Sequence, residues 1–137
     1  MQILLLNGPN LNLLGVREPE VYGKETFTDY FRQLKNKYPS VDISCFQSNV
    51  EGEPIDKIHE VGFSYDGLFL NAGAYTHTSI ALADAIAAVK ARWSRYIFPI
   101  QPGGRLSGMF LYLTAVCRGV IMGFGLKSYE LAFIGFD

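Results

Sequence analysis

This chain has little of what metal centres and disulfide scaffolds require. Its 137 residues include only two histidines and two cysteines, and Cys45 and Cys117 lie far apart in apolar stretches. Neither type of residue shows metal-ligand spacing. Isolated buried thiols are typical of proteins in a reducing compartment. We therefore expect free cysteines, no metal site and a cytoplasmic location.

The chain also lacks an excess of charge of either sign. Twelve basic residues are balanced by thirteen acidic ones, which gives a formal net charge of −1. This balance predicts no nucleic-acid partner and no attraction to an anionic membrane. No apolar run approaches the roughly 18–20 residues of a membrane span, and no basic segment precedes the first apolar run. We expect neither a span nor a signal peptide.

The length and the apolar content of the chain are sufficient for one folded domain. Apolar residues make up 49% of the chain, and a domain of this size buries roughly two-thirds of its unfolded surface. Predicted strands cover 2–6, 41–46, 67–70 and 119–125. Predicted helices cover 27–37, with Thr26 or Thr28 as its cap, 51–61, about 78–90 and 127–135. This alternation with short turns predicts an α/β fold, a doubly wound parallel sheet with helices on both faces.

Asparagine and glycine cluster after the first and third predicted strands. The first strand runs into Asn7-Gly8-Pro9-Asn10-Leu11-Asn12, followed by Arg17-Glu18-Pro19-Glu20-Val21-Tyr22-Gly23. The third strand runs into Asn71-Ala72-Gly73-Ala74-Tyr75-Thr76-His77. Open α/β sheets bind their ligands at the carboxyl ends of the strands. We therefore predict one pocket at this edge.

Taken in order, these runs resemble the type II 3-dehydroquinate dehydratases. The matching motifs are N-G-P-N-L-N-L-L-G at 7–15, R-E-P-E-x-Y-G at 17–23, F-Q-S-N at 46–49, E-G at 51–52, N-A-G-A-Y-T-H-T-S at 71–79 and G-V-I-x-G-F-G at 119–125. The resemblance implies a single domain over 1–137 with a flavodoxin-like, five-stranded parallel sheet. It implies a homododecamer, a tetramer of trimers. It also implies dehydration of 3-dehydroquinate to 3-dehydroshikimate through an enolate, in the shikimate or quinate pathway, without metal or cofactor.

The same resemblance assigns roles to individual residues. Tyr22 matches the catalytic base, Arg17 the cation beside it, and Asn12 the residue holding the water that stabilises the enolate. A tyrosine has an ordinary pKa near ~10, and a cation within ~4–6 Å favours its phenolate. The substrate-binding residues are Asn71, Gly73, His77 and Asp84. Because His77 and Asp84 lie seven positions apart, we predict that they share one face of one helix.

The segment 91–111 departs from the family pattern. The family has a histidine followed by Ile-Ser-Asn on its fourth strand, where the histidine is the general acid, and a substrate-binding arginine further on. Counted from Asp84, these two residues are due at the positions of Ile97 and Gly108. Trp93, Arg92 and Arg95 also lie where a central parallel strand should be continuously apolar, and Pro99 would remove a backbone donor from the ladder. We therefore predict a disturbed fourth strand and an incomplete pocket.

Two explanations of this segment are open, divergence residue by residue and a shifted reading frame. Permitted codons for residues 92–100, read one base earlier, decode as Pro-Val-Val-Glu-Val-His-Ile-Ser-Asn, with the histidine codon over Ile97. Because tyrosine codons end in T or C, this codon decodes only as Tyr or His. Residues 105–111 can decode as Glu-Ala-Phe-Arg-His-Val-Ser, with the arginine over Gly108. We hypothesise that one base was lost near Ala91 and one gained before Tyr112.

Two further functions compete with the dehydratase. The absent acid histidine favours a non-catalytic small-acid binder or assembly partner on the same scaffold, whereas Arg17 and Tyr22 favour the enzyme. A flavodoxin-like protein that binds flavin mononucleotide is the third alternative. Its phosphate loop would be rich in Ser, Thr and Gly, but the first loop here carries Asn, Leu and Arg. We expect a dehydratase whose activity is impaired in this sequence.

Overall fold

A computed structural model describes residues 1–16, 19–89, 94–97 and 112–135. The strands are β1 (Gln2–Asn7), β2 (Asp42–Gln47), β3 (Gly67–Asn71), β4 (Ser94–Ile97) and β5 (Gly119–Val120). The helices are α1 (Pro19–Tyr22), α2 (Phe27–Lys37), α3 (Gly52–Val61), α4 (Tyr75–Thr78), α5 (Ile80–Ala88) and α6 (Lys127–Ile134). Short 3₁₀ helices cover Leu11–Leu13 and Tyr112–Val116.

The strands form one five-stranded sheet in the order β2-β1-β3-β4-β5. Its strand pairs are all parallel. This order is that of flavodoxin-like doubly wound sheets, in which the winding reverses between β1 and β3. The predicted fold class is confirmed.

Helices cover both faces of the sheet, because successive side chains of a strand point to opposite sides. Leu4 and Leu6 of β1 pack in one apolar cluster with residues of α3 and α5. Ile3 and Leu5 pack in a second cluster with residues of α2 and α6. Burial on both faces explains why β1 reads as a continuous apolar run.

The helix predicted at about 78–90 is confirmed as α5 at Ile80–Ala88, but a break at Ser79 separates it from the residues before it. Helix α4 ends at Thr78, and Ser79 is extended with φ −95° and ψ 93°. The Ser79 hydroxyl accepts the N–H of Leu82 at 2.9 Å and so caps the start of α5. A capping serine requires this non-helical backbone. His77 and Asp84 therefore lie on different helices, and the prediction of one shared helix face is wrong.

The fourth strand is present at 94–97. It pairs with β3 at four positions and with β5 at two. The prediction of a disturbed strand is wrong for these four residues, because a parallel ladder needs only backbone N–H and C=O groups. The rest of the segment 91–111, including Trp93 and Pro99, lies outside the described residues.

The last strand is shorter than predicted. β5 ends at Val120, whereas the apolar run suggested an extended chain as far as residue 125. Gly123 and Gly125 have φ values of 87° and 55°, which a strand cannot accommodate. These glycines turn the chain into α6.

Candidate active site

Three amide side chains lie at the carboxyl ends of three neighbouring strands. Gln47, Asn7 and Asn71 are in register across β2, β1 and β3. Their side chains therefore leave the same face of the sheet, the face covered by α2 and α6. Asn7 and Asn71 are both 0% exposed. We call this set the amide row.

The two asparagine–glycine loops meet directly above the amide row. The N–H of Gly8 donates to the carbonyl of Asn71 at 2.7 Å. A β-carbon on Gly73 would lie 3.1 Å from the carbonyl oxygen of Pro9. The structure thus brings together the loops that follow β1 and β3, as the sequence predicts for this edge.

Asn49, from the F-Q-S-N motif, connects the first loop to α4. Its Oδ1 accepts the N–H of Asn10 at 3.0 Å and the Nε2 of Gln47 at 3.1 Å. Its carbonyl accepts the hydroxyl of Tyr75 at 3.0 Å. Asn10 has φ 68°, the one positive φ outside glycine in the described part of the chain. Such a backbone persists where surrounding contacts hold it, often at functional sites.

The predicted catalytic residues are placed only in part. Asn12 lies in the 3₁₀ helix Leu11–Leu13 and is exposed. Tyr22 is the last residue of α1, and its side chain lies outside the described part of the structure. Arg17 lies outside the described residues altogether. The pairing of Tyr22 with Arg17 stays a prediction.

The predicted substrate-binding residues are placed on β3, α4 and α5. Asn71 ends β3, and its Oδ1 accepts the N–H of Gly73 at 3.3 Å. His77 is half-buried on α4, the short helix that follows this turn. Asp84 is exposed on α5. The structure joins Asn71 to Gly73 directly, whereas Asp84 lies beyond the break at Ser79.

Tyr129 of α6 is a residue at this edge to which the sequence assigns no function. Its ring is 0% exposed. Its hydroxyl donates to Asn7 Oδ1 at 2.7 Å and accepts from Asn71 Nδ2 at 3.0 Å. Burial raises the pKa of Tyr129 well above its ordinary value, so the phenol stays neutral. The sequence offers one indication of this role, a tyrosine on an apolar helix face. A tyrosine buried there needs a hydrogen-bond partner for its hydroxyl.

The described residues contain no group of three or more His, Cys, Asp and Glu side chains able to hold a metal ion. No helix among them has both the length and the apolar character that crossing a membrane requires. Cys45 and Cys117 are both present as thiols. Burial raises the pKa of Cys45 to about 12, which keeps this thiol protonated and unreactive at neutral pH.

A parallel sheet in this order, with amides and two asparagine–glycine loops at its carboxyl edge, defines a doubly wound α/β protein of the class whose members bind ligands at that edge. The family model of dehydroquinase class II matches residues 1–97. The chain therefore belongs to the class II dehydroquinase family. The match ends inside the segment 91–111.

Curated relatives and solved structures agree with this assignment. The chain is 47% identical over 141 residues to a 3-dehydroquinate dehydratase of Prochlorococcus marinus (strain MIT 9215), covering 98% of this chain and 93% of that protein. It is 49% identical over 133 residues to one of Exiguobacterium sp. (strain ATCC BAA-1283 / AT1b), covering 96% and 91%. The crystal structure of type II dehydroquinase from Butyrivibrio crossotus DSM 2876 superposes with a TM-score of 0.86 at 38% identity, covering 99% and 97%.

Proposed function

We propose that this protein is a hydro-lyase that dehydrates 3-dehydroquinate to 3-dehydroshikimate, in the shikimate or quinate pathway, without a cofactor. The observation that carries this proposal is the identity of 47% and 49% to 3-dehydroquinate dehydratases along almost the whole chain. In the reaction, a proton leaves the carbon beside the ketone and a hydroxyl group leaves as water. Such chemistry needs a base, a stabiliser of the enolate oxygen and an acid.

The base is Tyr22, activated by Arg17. The two residues lie five positions apart, with Tyr22 at the end of α1. A guanidinium close to the phenol lowers the pKa of tyrosine and favours the phenolate that removes the proton. Asn12 holds the water that hydrogen-bonds to the developing enolate oxygen. Its exposed position on the loop above the sheet edge supports a role that begins only when substrate binds.

Asn71, Gly73, His77 and Asp84 bind the hydroxyl groups and the ring of the substrate. Asn71 supports this role best, because its buried amide ends a central strand at the edge where the loops meet. Its amide can donate and accept, as a polyhydroxylated acid requires. Asp84 is exposed on α5. Its role in substrate binding therefore depends on whether assembly places it next to the site of the same or of a neighbouring copy.

Turnover is weak in this sequence, because no acid stands where the family has one. Backbone pairing sets Ile97 opposite Leu70, one residue before Asn71, so position 97 lies near the carboxyl edge of the sheet. Isoleucine has no proton to give to the departing hydroxyl. Loss of a general acid typically costs ~10²–10⁴-fold in rate. The same observation favours the second candidate, a non-catalytic binder of the same small acid.

The test is to follow enone absorbance with 3-dehydroquinate and to titrate the same sample with that ligand. We expect kcat about 10²–10⁴-fold below that of the relative from Prochlorococcus marinus, with measurable binding. Tyr22→Phe should abolish the residual turnover and leave the Kd within about threefold, since only the phenolic proton acceptor is removed. Binding with no turnover would favour the binder. Absence of both would refute the proposal.

We also propose that the segment 91–111 arises from a shifted reading frame, as its back-translation indicates. The end of the family match at residue 97 supports this origin. Sequencing the DNA across codons 90–112 should reveal a displaced frame that encodes His-Ile-Ser-Asn. A chain carrying the displaced-frame residues should gain ~10²–10⁴-fold in kcat. Full recovery from Ile97→His alone would instead indicate divergence at single positions.

The active form is a homododecamer, a tetramer of trimers, in the cytoplasm. Exposed apolar side chains such as Phe63, Ile80 and Phe124 offer surface for assembly, and the two thiols suit a reducing compartment. Twelve chains of 15.3 kDa give a particle of roughly 184 kDa. Light scattering after size exclusion measures this mass directly, and a value near that of one chain would contradict the assembly.

A further inference from the structure

One buried hydrogen-bond chain at the sheet edge connects β1 and α6 to the proposed substrate-binding residues. It runs from Asn7 through Tyr129 to Asn71 and on to the N–H of Gly73. Asn7, Tyr129 and Asn71 are all 0% exposed. The chain joins residues that are 122 and 58 positions apart, and it ends at a proposed substrate-binding residue.

The donors in this chain fix the orientation of each amide. The N–H of Gly73 requires an acceptor, so Asn71 turns its Oδ1 to the loop and its Nδ2 to Tyr129. A neutral phenol has a single hydrogen. Because Tyr129 accepts from Asn71, it gives that hydrogen to Asn7 Oδ1. The hydroxyl of Tyr129 therefore sets the direction of the Asn7 amide and supports the Asn71 orientation that the N–H of Gly73 selects.

These hydrogen-bond directions leave the Nδ2 of Asn7 buried with no hydrogen-bond partner among the described residues. A buried donor without an acceptor is destabilising by about 1–3 kcal/mol. An apolar residue at position 7 would avoid this loss. Such unsatisfied groups are uncommon in buried cores and require an explanation. Here the oxygen of Asn7 receives the hydrogen that Tyr129 would otherwise offer to Asn71.

We propose that Tyr129 is a positioning residue for the ligand, acting through Asn71. It holds the Asn71 amide in one of two orientations of nearly equal shape, so that the same hydrogen and the same lone pair always face the substrate. Reversal of the amide would set a donor where a substrate hydroxyl finds an acceptor, and an acceptor where a substrate carbonyl finds a donor. This inference rests on the proposed function of Asn71.

The chain offers a matched control for removal of the Tyr129 hydroxyl. Tyr30 packs in the same apolar cluster, with its ring centroid 6.1 Å from that of Tyr129. Its hydroxyl is buried and makes no hydrogen bond to the described residues, although the backbone of Glu130 lies nearby. Tyr129→Phe and Tyr30→Phe therefore each remove one buried hydroxyl, and only the first breaks the hydrogen-bond chain.

The first measurement is the Kd of 3-dehydroquinate, by titration, in the wild-type and Asn71→Ala backgrounds. Tyr129→Phe should raise the Kd by about 5–20-fold, and Tyr30→Phe by less than about twofold. In the Asn71→Ala background, Tyr129→Phe should change the Kd by less than about twofold, because the group it positions is gone. Equal losses in both backgrounds would show that Tyr129 does not act through Asn71.

The second measurement needs no ligand. Hydrogen–deuterium exchange at the N–H of Gly73 should become at least about fivefold faster in Tyr129→Phe and stay unchanged in Tyr30→Phe, since Asn71 Oδ1 is its acceptor. Unchanged exchange in Tyr129→Phe would overturn the proposal. If the wild type binds no 3-dehydroquinate, the proposed function fails, and this exchange still decides the role of Tyr129.

A second variant guards against misfolding of Tyr129→Phe. Asn7→Leu removes the acceptor of the phenolic hydrogen and also the unpartnered Nδ2. The hydroxyl of Tyr129 is then free to donate to Asn71 and to reverse its amide. Faster exchange at Gly73 and a raised Kd are expected again, and wild-type values for both would contradict the proposed orientation.

Discussion

At the scale of single residues, Gly8 shows how a missing side chain shapes the site. Its N–H donates to Asn71, and a β-carbon there would lie 2.4 Å from the carbonyl oxygen of Ala72. No side chain fits at that distance, so Gly8→Ala must separate the two loops. We expect a loss of about 2–4 kcal/mol in the free energy of unfolding, from strain and a weakened hydrogen bond. Urea denaturation measures it.

Gly52 provides the control for this substitution. It is the first residue of α3, and a β-carbon there would meet nothing within 4 Å. Gly52→Ala should leave the free energy of unfolding unchanged or raise it by up to about 1 kcal/mol, because alanine restricts the unfolded chain more than glycine does. Similar losses in both variants would show that the close approach at Gly8 is not the cause.

The same scale shows what the sequence can reveal about the site. Asn71 and Gly73 are predictable, because asparagine and glycine after a buried strand mark the turn at the carboxyl edge. Tyr129 is not predictable in this way, because its partner Asn7 lies 122 positions away and the two meet only when the sheet and α6 have packed. A contact set by tertiary packing leaves no periodic pattern along the chain.

At the scale of elements, the start of α2 distinguishes two threonines that the sequence offers as caps. Thr26 is the cap, since its hydroxyl accepts the N–H of Asp29 at 3.2 Å. Thr28 is exposed inside the helix. Thr26→Ala should cost about 1 kcal/mol of unfolding free energy, whereas Thr28→Ala should leave it unchanged or raise it by a few tenths, since alanine favours the helix. Thermal melting of the two variants compares them directly, and equal melting temperatures would refute the assignment.

The break between α4 and α5 shows where element prediction fails. Alanine and isoleucine continue with helical spacing through residues 80–88, so the apolar pattern gives no reason to stop at Ser79. What ends α4 is a local competition, in which the Ser79 hydroxyl takes the N–H of Leu82. Patterns of burial located the elements of this fold well, whereas single side-chain hydrogen bonds decided their ends.

At the scale of the whole molecule, the layer of α2 and α6 makes the stability of the fold depend on pH in alkali. The layer of α2 and α6 contains buried Tyr30 and Tyr129 and packs against Cys45. Burial raises the pKa of Cys45 from 9.0 to about 12. Burial and the nearby Glu130 raise the pKa of Tyr30 from 10.0 to about 12, and burial raises that of Tyr129 further. The folded protein thus keeps protons that the unfolded chain has released.

This difference predicts the sign and the pH range of alkaline unfolding. Below about pH 8 the three groups are protonated in both states and contribute almost no pH dependence. Between pH 9 and 12 the unfolded chain loses its protons first, so stability falls by up to about 1.4 kcal/mol per pH unit for each group.

Cys45→Ala should therefore flatten the fall in stability between pH 9 and 10, whereas Tyr30→Phe should change the curve only above pH 10. Urea midpoints measured from pH 8 to 11 separate these windows. A Cys45→Ala curve parallel to the wild type would mean that the thiol titrates alike in both states, contrary to its burial under α2 and α6.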